Sequence, residues 1–287
     1  MRGLPALSRL RQYQTDIEQA IYREWNAGHK NVVPVLPTGG GKTVVIGAVV
    51  KAFDTPTVAI AHRQELVSQI STALGREGIR HDLLAPKETR NSIVAAHVEK
   101  LGRSYFDKHS KVKVGGVDTI IRMSRDDPWF ATVGLVVQDE GHHVLKVNKW
   151  GRAMSMFPNA FGLFPTAWPN RADGCGLGRD TDGLADALVV GPSMRQLIDW
   201  GFLTDYRVVC PAPSVDMTGV EISETTGDFN KDQVRKAVHN SPKLVGDVVS
   251  EYLRWAPGKL GVTFAVDVES ATEIANEFRR RGVPAEV

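Results

Sequence analysis

Three glycines, a lysine and a threonine stand together in "PTGGGKT", Pro37 to Thr43, between an apolar run that ends at Leu36 and another that begins at Val44. A glycine-rich turn between a buried strand and a helix lets backbone N–H groups converge on a phosphate that any Cβ would obstruct, and the positive end of the helix adds to the attraction. In such a turn Thr38, Gly39, Gly40 and Gly41 form the cradle, Lys42 reaches the β- and γ-phosphates of a nucleoside triphosphate, and Thr43 offers its hydroxyl to Mg²⁺. The strict GxxxxGK[ST] spacing begins on glycine where this chain has Leu36, so the match rests on the strand and helix that flank it. A flexible turn followed by a surface lysine is the plainer reading of the same letters.

Well downstream, "LVVQDEGHH" ends an apolar run in Asp139 and Glu140. An aspartate at a strand end can hold Mg²⁺, and the glutamate beside it can orient or deprotonate a water attacking a phosphate. Alone, such a pair also occurs as a surface turn. Behind a phosphate loop it reads as the metal-holding and catalytic pair of a nucleoside triphosphatase, with Glu140 and Lys42 as catalytic groups.

These segments need a scaffold that places strand ends side by side. Apolar residues at Tyr13, Ile17, Ala20, Ile21 and Trp25 predict a helix stopped by Gly28. The runs "NVVPVL", "PTVAIA", "NSIVAA", "VKVGGV" and "VGLVVQ" are short, rich in Val and Ile and do not alternate, which predicts strands buried on both faces of a parallel sheet. "QELVSQISTALG" places Leu66, Val67, Ile70, Ala73 and Leu74 on one helical face and ends at Gly75. The Gly- and Asp-rich stretch Gly174 to Pro192 reads as a surface excursion, followed by a helix in "SMRQLIDWG". Beyond Asp205 a second βα series is expected: a strand in "YRVVCP", a polar connection, a helix through Val245, Val248, Val249 and Tyr252, a strand in "LGVTFAV" and a helix in "VESATEIANEFRRRG". The fold class is α/β.

The 287 residues are 42% hydrophobic and 24% charged with net charge +2, a globular composition whose total says nothing about partners. Cys175 and Cys210 are the only cysteines, too few for a disulfide scaffold and without a CxxC zinc pair, which fits a reducing cytoplasmic setting. No run approaches the roughly 18 apolar residues of a membrane span, so no membrane partner is expected.

The order of these segments resembles the superfamily 2 helicases, in the DEAD/DEAH-like group that includes type III restriction ATPase subunits and phage and bacterial helicases. "LRQYQ" is similar to the adenine-recognising Q element, which implies Gln14 as the reader and Arg11 beside it. "LPTGGGKT" is similar to motif I, "IAHRQELVSQ" to motif Ia, "VGGVDTIIR" to motif Ib and "DEGHH" to motif II. "PTAWPNRADGCGLG" resembles motif III with its RxDGxGLG continuation, and "GVTFAVDVESATEIANEFRRRGVPA" resembles motif IV. The resemblance implies a RecA-like P-loop fold, ATP with Mg²⁺ as cofactor, and Arg63 and Thr119 in loops that grip a nucleic-acid backbone. It also implies His142 as a relay between the nucleotide and motif III, where Thr166 and Trp168 fall. Residue by residue, Gln14, Arg63, Thr119 and His142 also have bland readings as solvated or helix-start residues.

Two departures stand out. Motif III ordinarily carries a second small hydroxyl where this chain has Trp168, an indole with one donor and no acceptor, which calls coupling into question. The family's motifs V and VI find no match, and Arg279, Arg280 and Arg281 read as a basic helix end. The expectation is a first RecA-like lobe in residues 1–205 and an incomplete second lobe with motif IV in 206–287. Such a chain would be the N-terminal portion of an ATP-dependent DNA helicase or translocase acting on single-stranded or duplex DNA. An ATP-gated nucleic-acid-binding module without unwinding activity, or an RNA helicase, stands as the alternative.

Overall fold

The computed structural model describes residues 10–171, 174–211, 215–222, 229–241 and 243–287, and the chain divides into two compact units, 1–205 and 206–287. In chain order the first unit runs α1 (Gln12–Asn26), β1 (Asn31–Val35), α2 (Lys42–Ala52), β2 (Thr57–Ala61), α3 (Gln64–Arg76), β3 (Asp82–Leu84), α4 (Lys87–Leu101), β4 (Val112–Gly116), α5 (Val117–Ile120), α6 (Trp129–Thr132), β5 (Leu135–Gln138), α7 (Lys149–Met154), β6 (Phe161–Leu163), β7 (Ala187–Val190) and α8 (Met194–Asp199).

The seven strands form one sheet in the order β3-β4-β2-β5-β6-β1-β7, and every pairing is parallel. Successive strand residues face opposite sides, so Val32, Ala59, Leu135 and Val137 enter one apolar core while Val33, Val58, Ile60 and Val136 enter the other. Helices cover both faces, which is why the strand sequences are apolar throughout instead of alternating. This is the α/β fold with a parallel sheet that the runs predicted.

Three local expectations need correction in this unit. "NSIVAA" lies inside α4, where only Ile93 and His97 are buried, four residues apart on one face; the adjacent three-residue β3 takes the sheet edge instead. Helix α3 runs one residue past Gly75, which is buried inside it because Leu101 and Tyr105 pack where a Cβ would stand. The excursion from Gly174 to Pro192 contains the edge strand β7, held because Asp186 accepts from the Lys30 and Asn31 amides at 3.0 and 2.8 Å. Ala172 and Asp173 of the motif III continuation lie outside the described residues.

The second unit contains α9 (Lys231–His239), α10 (Lys243–Trp255) and α11 (Val268–Arg280). Val249, Ile274 and Phe278 form its small core, with Tyr252 set edge-on to Phe278 at 5.2 Å. The strands expected in "YRVVCP" and "LGVTFAV" are not formed: both segments are irregular. A strand needs a neighbour to pair with, and none stands beside them among the described residues, so Leu260, Val262 and Phe264 are 80% or more exposed.

Candidate functional site

The segments singled out by their chemistry follow the C-terminal ends of parallel strands, the edge where open α/β sheets bind ligands. After β1 the chain turns through Pro37 to Gly41 with the Gly40 N–H donating to Pro37 O at 2.9 Å. Gly39 and Gly41 hold φ of 81° and 84°, a region open to glycine and strained for most other residues. Gly41 caps α2, leaving the first-turn amides of Lys42 and Thr43 without intrahelical carbonyls. The residues present fit a phosphate group: a Cβ at Gly40 would press on Pro37 and Leu197, and one at Gly41 would strike Gln14. Lys42 reaches back over the loop, its Nζ 3.5 Å from Leu36 O.

Asp139 and Glu140 follow β5. Burial pushes the Asp139 carboxyl above the ordinary carboxylate range, and the Glu140 N–H at 3.0 Å, Lys42 and His62 pull against that rise. Lys42 and Asp139 therefore feel one another across the strand ends. Glu140 adopts a left-handed φ of 57°, and Gly141 follows because a Cβ there would collide with the Phe164 carbonyl.

Between the motif I strand and the motif II strand lies β6, whose continuation carries Thr166. The Thr166 N–H donates to Pro34 O and the Leu36 N–H to Thr166 O, each at 3.0 Å, which ties it to the base of the phosphate loop. Its buried hydroxyl donates to Trp168 O at 2.9 Å, leaving lone pairs for the Trp168 N–H at 3.3 Å and for His142 Nδ1 at 3.0 Å. His142 Nδ1 also lies 3.4 Å from Glu140 Oε2. The glycine-rich loop, Thr166, His142 and Glu140 form one continuous path. Trp168 joins it through its main chain alone, its side chain being 66% exposed.

The remaining sequence-derived residues are spread along the same edge. Arg63 is exposed at the N-cap of α3, and half-buried Thr119 lies in the short α5 after β4. Gln14 is buried: its Oε1 accepts from the Arg11 N–H at 2.9 Å and its Nε2 donates to Gly40 O at 3.4 Å. Arg11 is exposed, its guanidinium 4.5 Å over the Phe202 ring.

Sequence reasoning passed over four residues. The Tyr13 hydroxyl donates to Gly40 O at 3.0 Å, a role hidden because Tyr13 also satisfies the apolar stripe of α1. Phe202 and Leu203 lie against Arg11 and Gly39; two large apolar residues left exposed or half-exposed just past a helix end were the available signal. His62, between the motif Ia strand and Arg63, sits 5.7 Å from Trp150 and 6.2 Å from His143. Burial first, then Arg63, holds its imidazole below the usual histidine range.

The family described as type III restriction enzyme, res subunit (ResIII) matches residues 7–171. A 51.5 kDa protein of a Lactococcus phage (isolate 7-9) is 25% identical over 255 residues, covering 87% of this chain and 47% of that protein. A Schizosaccharomyces pombe protein described as a mitochondrial ATP-dependent helicase, irc3, is 23% identical over 295 residues, covering 96% of this chain and 44% of that one. The chain thus spans less than half the length of these relatives. Among solved structures, a nuclease-deletion mutant of the Type ISP restriction-modification enzyme LlaGI, in complex with a DNA substrate mimic, superposes with TM-score 0.50 at 9% identity, covering 92% of this chain and 26% of that one. That likeness concerns the fold. No helix among the described residues is long and apolar enough to cross a membrane.

Proposed function

This chain belongs to the type III restriction enzyme res-subunit family, within the superfamily 2 helicases, and from that premise we propose that residues 1–205 are the ATP-binding RecA-like lobe of an ATP-dependent DNA helicase or translocase. Residues 206–287 then open the second lobe. The observation that carries the reading is the path from the phosphate loop through Thr166 and His142 to Glu140, with Asp139 within electrostatic reach of Lys42.

In this reading Thr38, Gly39, Gly40 and Gly41 receive the phosphates of ATP through their amides, and Lys42 compensates the charge at the β and γ positions. Thr43 and Asp139 would hold magnesium, which supplies further neutralisation of the phosphate oxygens when bound. Glu140 accepts the proton of the attacking water, and His142, fixed by Thr166, sets the direction of the Glu140 carboxylate. Gln14 and Arg11 close the nucleotide side. Arg63 and Thr119, on loops of the same sheet edge, contact nucleic-acid backbone phosphates without reading sequence. His142, Thr166 and Trp168 would pass a change at the nucleotide on to the nucleic-acid loops.

Calorimetric titration with Mg-ATP tests the site. The parent chain is expected to bind, and Lys42→Ala to lose at least tenfold in affinity, the scale of a lost charge-assisted contact. Equal affinity in the two proteins would sink the assignment.

A further inference from the structure

Phe202 lies outside every nucleotide motif, yet its ring backs the Arg11 guanidinium at 4.5 Å. Phe202 is held in turn by Tyr13, whose ring is 5.4 Å away, and by Trp200, set edge-on at 6.4 Å. Tyr13 is buried, and its hydroxyl is tied to Gly40 O at 3.0 Å. The next residue, Leu203, packs its side chain over Gly39. The aromatic group and the adjoining Leu203 are therefore attached to the glycine loop at two points, and Phe202 stands under one residue of the Q-like element.

We propose that Phe202 is a positioning residue for nucleobase binding: its ring holds the Arg11 guanidinium as a flat platform, and the base of the nucleotide stacks on the opposite face. This rests on the reading of the Lys42 loop as a nucleotide site. An unsupported arginine side chain samples many rotamers, and ordering it would cost the entropy that Phe202 has already removed. The planar guanidinium stacks well on π-faces, of ring and base alike. Gln14, the other group that could read a base, has its amide oxygen on the Arg11 N–H and its amide nitrogen on Gly40 O. Selection among bases then comes from stacking area, favouring purines over pyrimidines and separating adenine from guanine weakly.

The test measures binding of Mg-ATP, Mg-GTP, Mg-CTP and inorganic tripolyphosphate to the whole chain and to its variants. Phe202→Leu keeps apolar volume against Tyr13 and removes the ring face; Phe202→Tyr restores the ring. Phe202→Leu is expected to weaken ATP and GTP roughly three- to tenfold, the scale of a cation–aromatic contact, with a smaller effect on CTP. Tripolyphosphate affinity should not move, and Phe202→Tyr should behave as the parent. Arg11→Lys, which keeps the charge without the plane, should reproduce the loss. The proposal is overturned if Phe202→Leu weakens tripolyphosphate as much as ATP, since the ring would then merely prop the loop, or if no affinity changes. A parent chain that binds neither ATP nor tripolyphosphate would overturn the nucleotide site itself, and this inference with it.

Discussion

Glu140, the carboxylate proposed to activate water, holds a backbone conformation that few non-glycine residues adopt. Its φ of 57° costs energy that the surroundings must supply. Two hydrogen bonds do so: the Gly141 N–H donates to Pro165 O at 3.0 Å, and the His143 N–H to Glu140 O at 3.0 Å. The turn leaves the carboxylate 3.4 Å from His142 Nδ1 and lets its N–H donate to Asp139. Replacing the carboxylate by an amide preserves size and backbone while removing the proton acceptor. Glu140→Gln is therefore expected to bind Mg-ATP as the parent does and to lose about 10² or more in hydrolysis, the usual contribution of a positioned base. Phosphate release measured in the presence of single-stranded DNA checks this, and turnover equal to the parent's would remove Glu140 from catalysis. The acids themselves were visible in the sequence because they end an apolar run downstream of a glycine-rich loop. The strained turn that aims them was not, since it depends on the Phe164 carbonyl, which approaches Gly141 from another strand.

At the scale of elements, sequence patterning served best where burial was simplest. Strands β1, β2, β4 and β5 are buried almost throughout, so their runs of Val and Ile could be recognised one by one. Strands β3 and β6 have three residues each, too short for any periodicity, and β7 alternates poorly in a Gly-rich context. The insertion of β6 between β5 and β1, which gives Thr166 its place, is a matter of topology that no local pattern contains. A polar network shows the same limit. Ser71 on α3 donates to His81 Nε2 at 2.6 Å and accepts from His97 Nε2 on α4 at 2.9 Å; His81 Nδ1 donates to Ile79 O at 3.0 Å, and His97 Nδ1 accepts from the Tyr105 N–H at 3.3 Å. Every polar atom is satisfied only when both imidazoles are neutral. Burial accordingly lowers His81 to about 4, and it lowers His97 too. An unfolded histidine takes up its proton near pH 6.5, whereas folded His81 resists it until about pH 4. The contribution is thus fully present above the unfolded value and is lost as the pH falls from there towards 4. Ser71→Ala leaves a buried donor and a buried acceptor unpaired, at about 1–3 kcal/mol each. Thermal unfolding followed from pH 8 to pH 4 is expected to show the parent's Tm falling below pH 6.5, and Ser71→Ala starting lower at pH 8. A parent Tm flat across that range would mean that the imidazoles do not control stability.

For the molecule as a whole, the contrast between the two units is one of covered and uncovered apolar surface. The unit of residues 1–205 has a sheet sandwiched between helices, with two cores in which Val32, Val49, Val58, Val114 and Val136 are fully enclosed. The unit of residues 206–287 buries Val249, Ile274, Ala275 and Phe278 between α10 and α11, while Leu260, Val262 and Phe264 face outward from a segment with no strand partner among the described residues. Backbone amides without ladder hydrogen bonds exchange through small local openings, and exposed contiguous apolar residues promote association. Amides 260–266 are therefore expected to exchange far faster than those of β1, β2 and β5. A charge placed on side chains already in water should cost little stability, within about 0.5 kcal/mol for an ordinary surface substitution, while weakening apolar association. The combined change Leu260→Lys, Val262→Lys and Phe264→Lys should leave the Tm nearly unchanged and reduce light scattering at high protein concentration. If instead the Tm drops by many degrees and amides 260–266 are as protected as β1 in the parent, those side chains are packed in solution. The segment would then have found in solution the partner that its apolar sequence predicts.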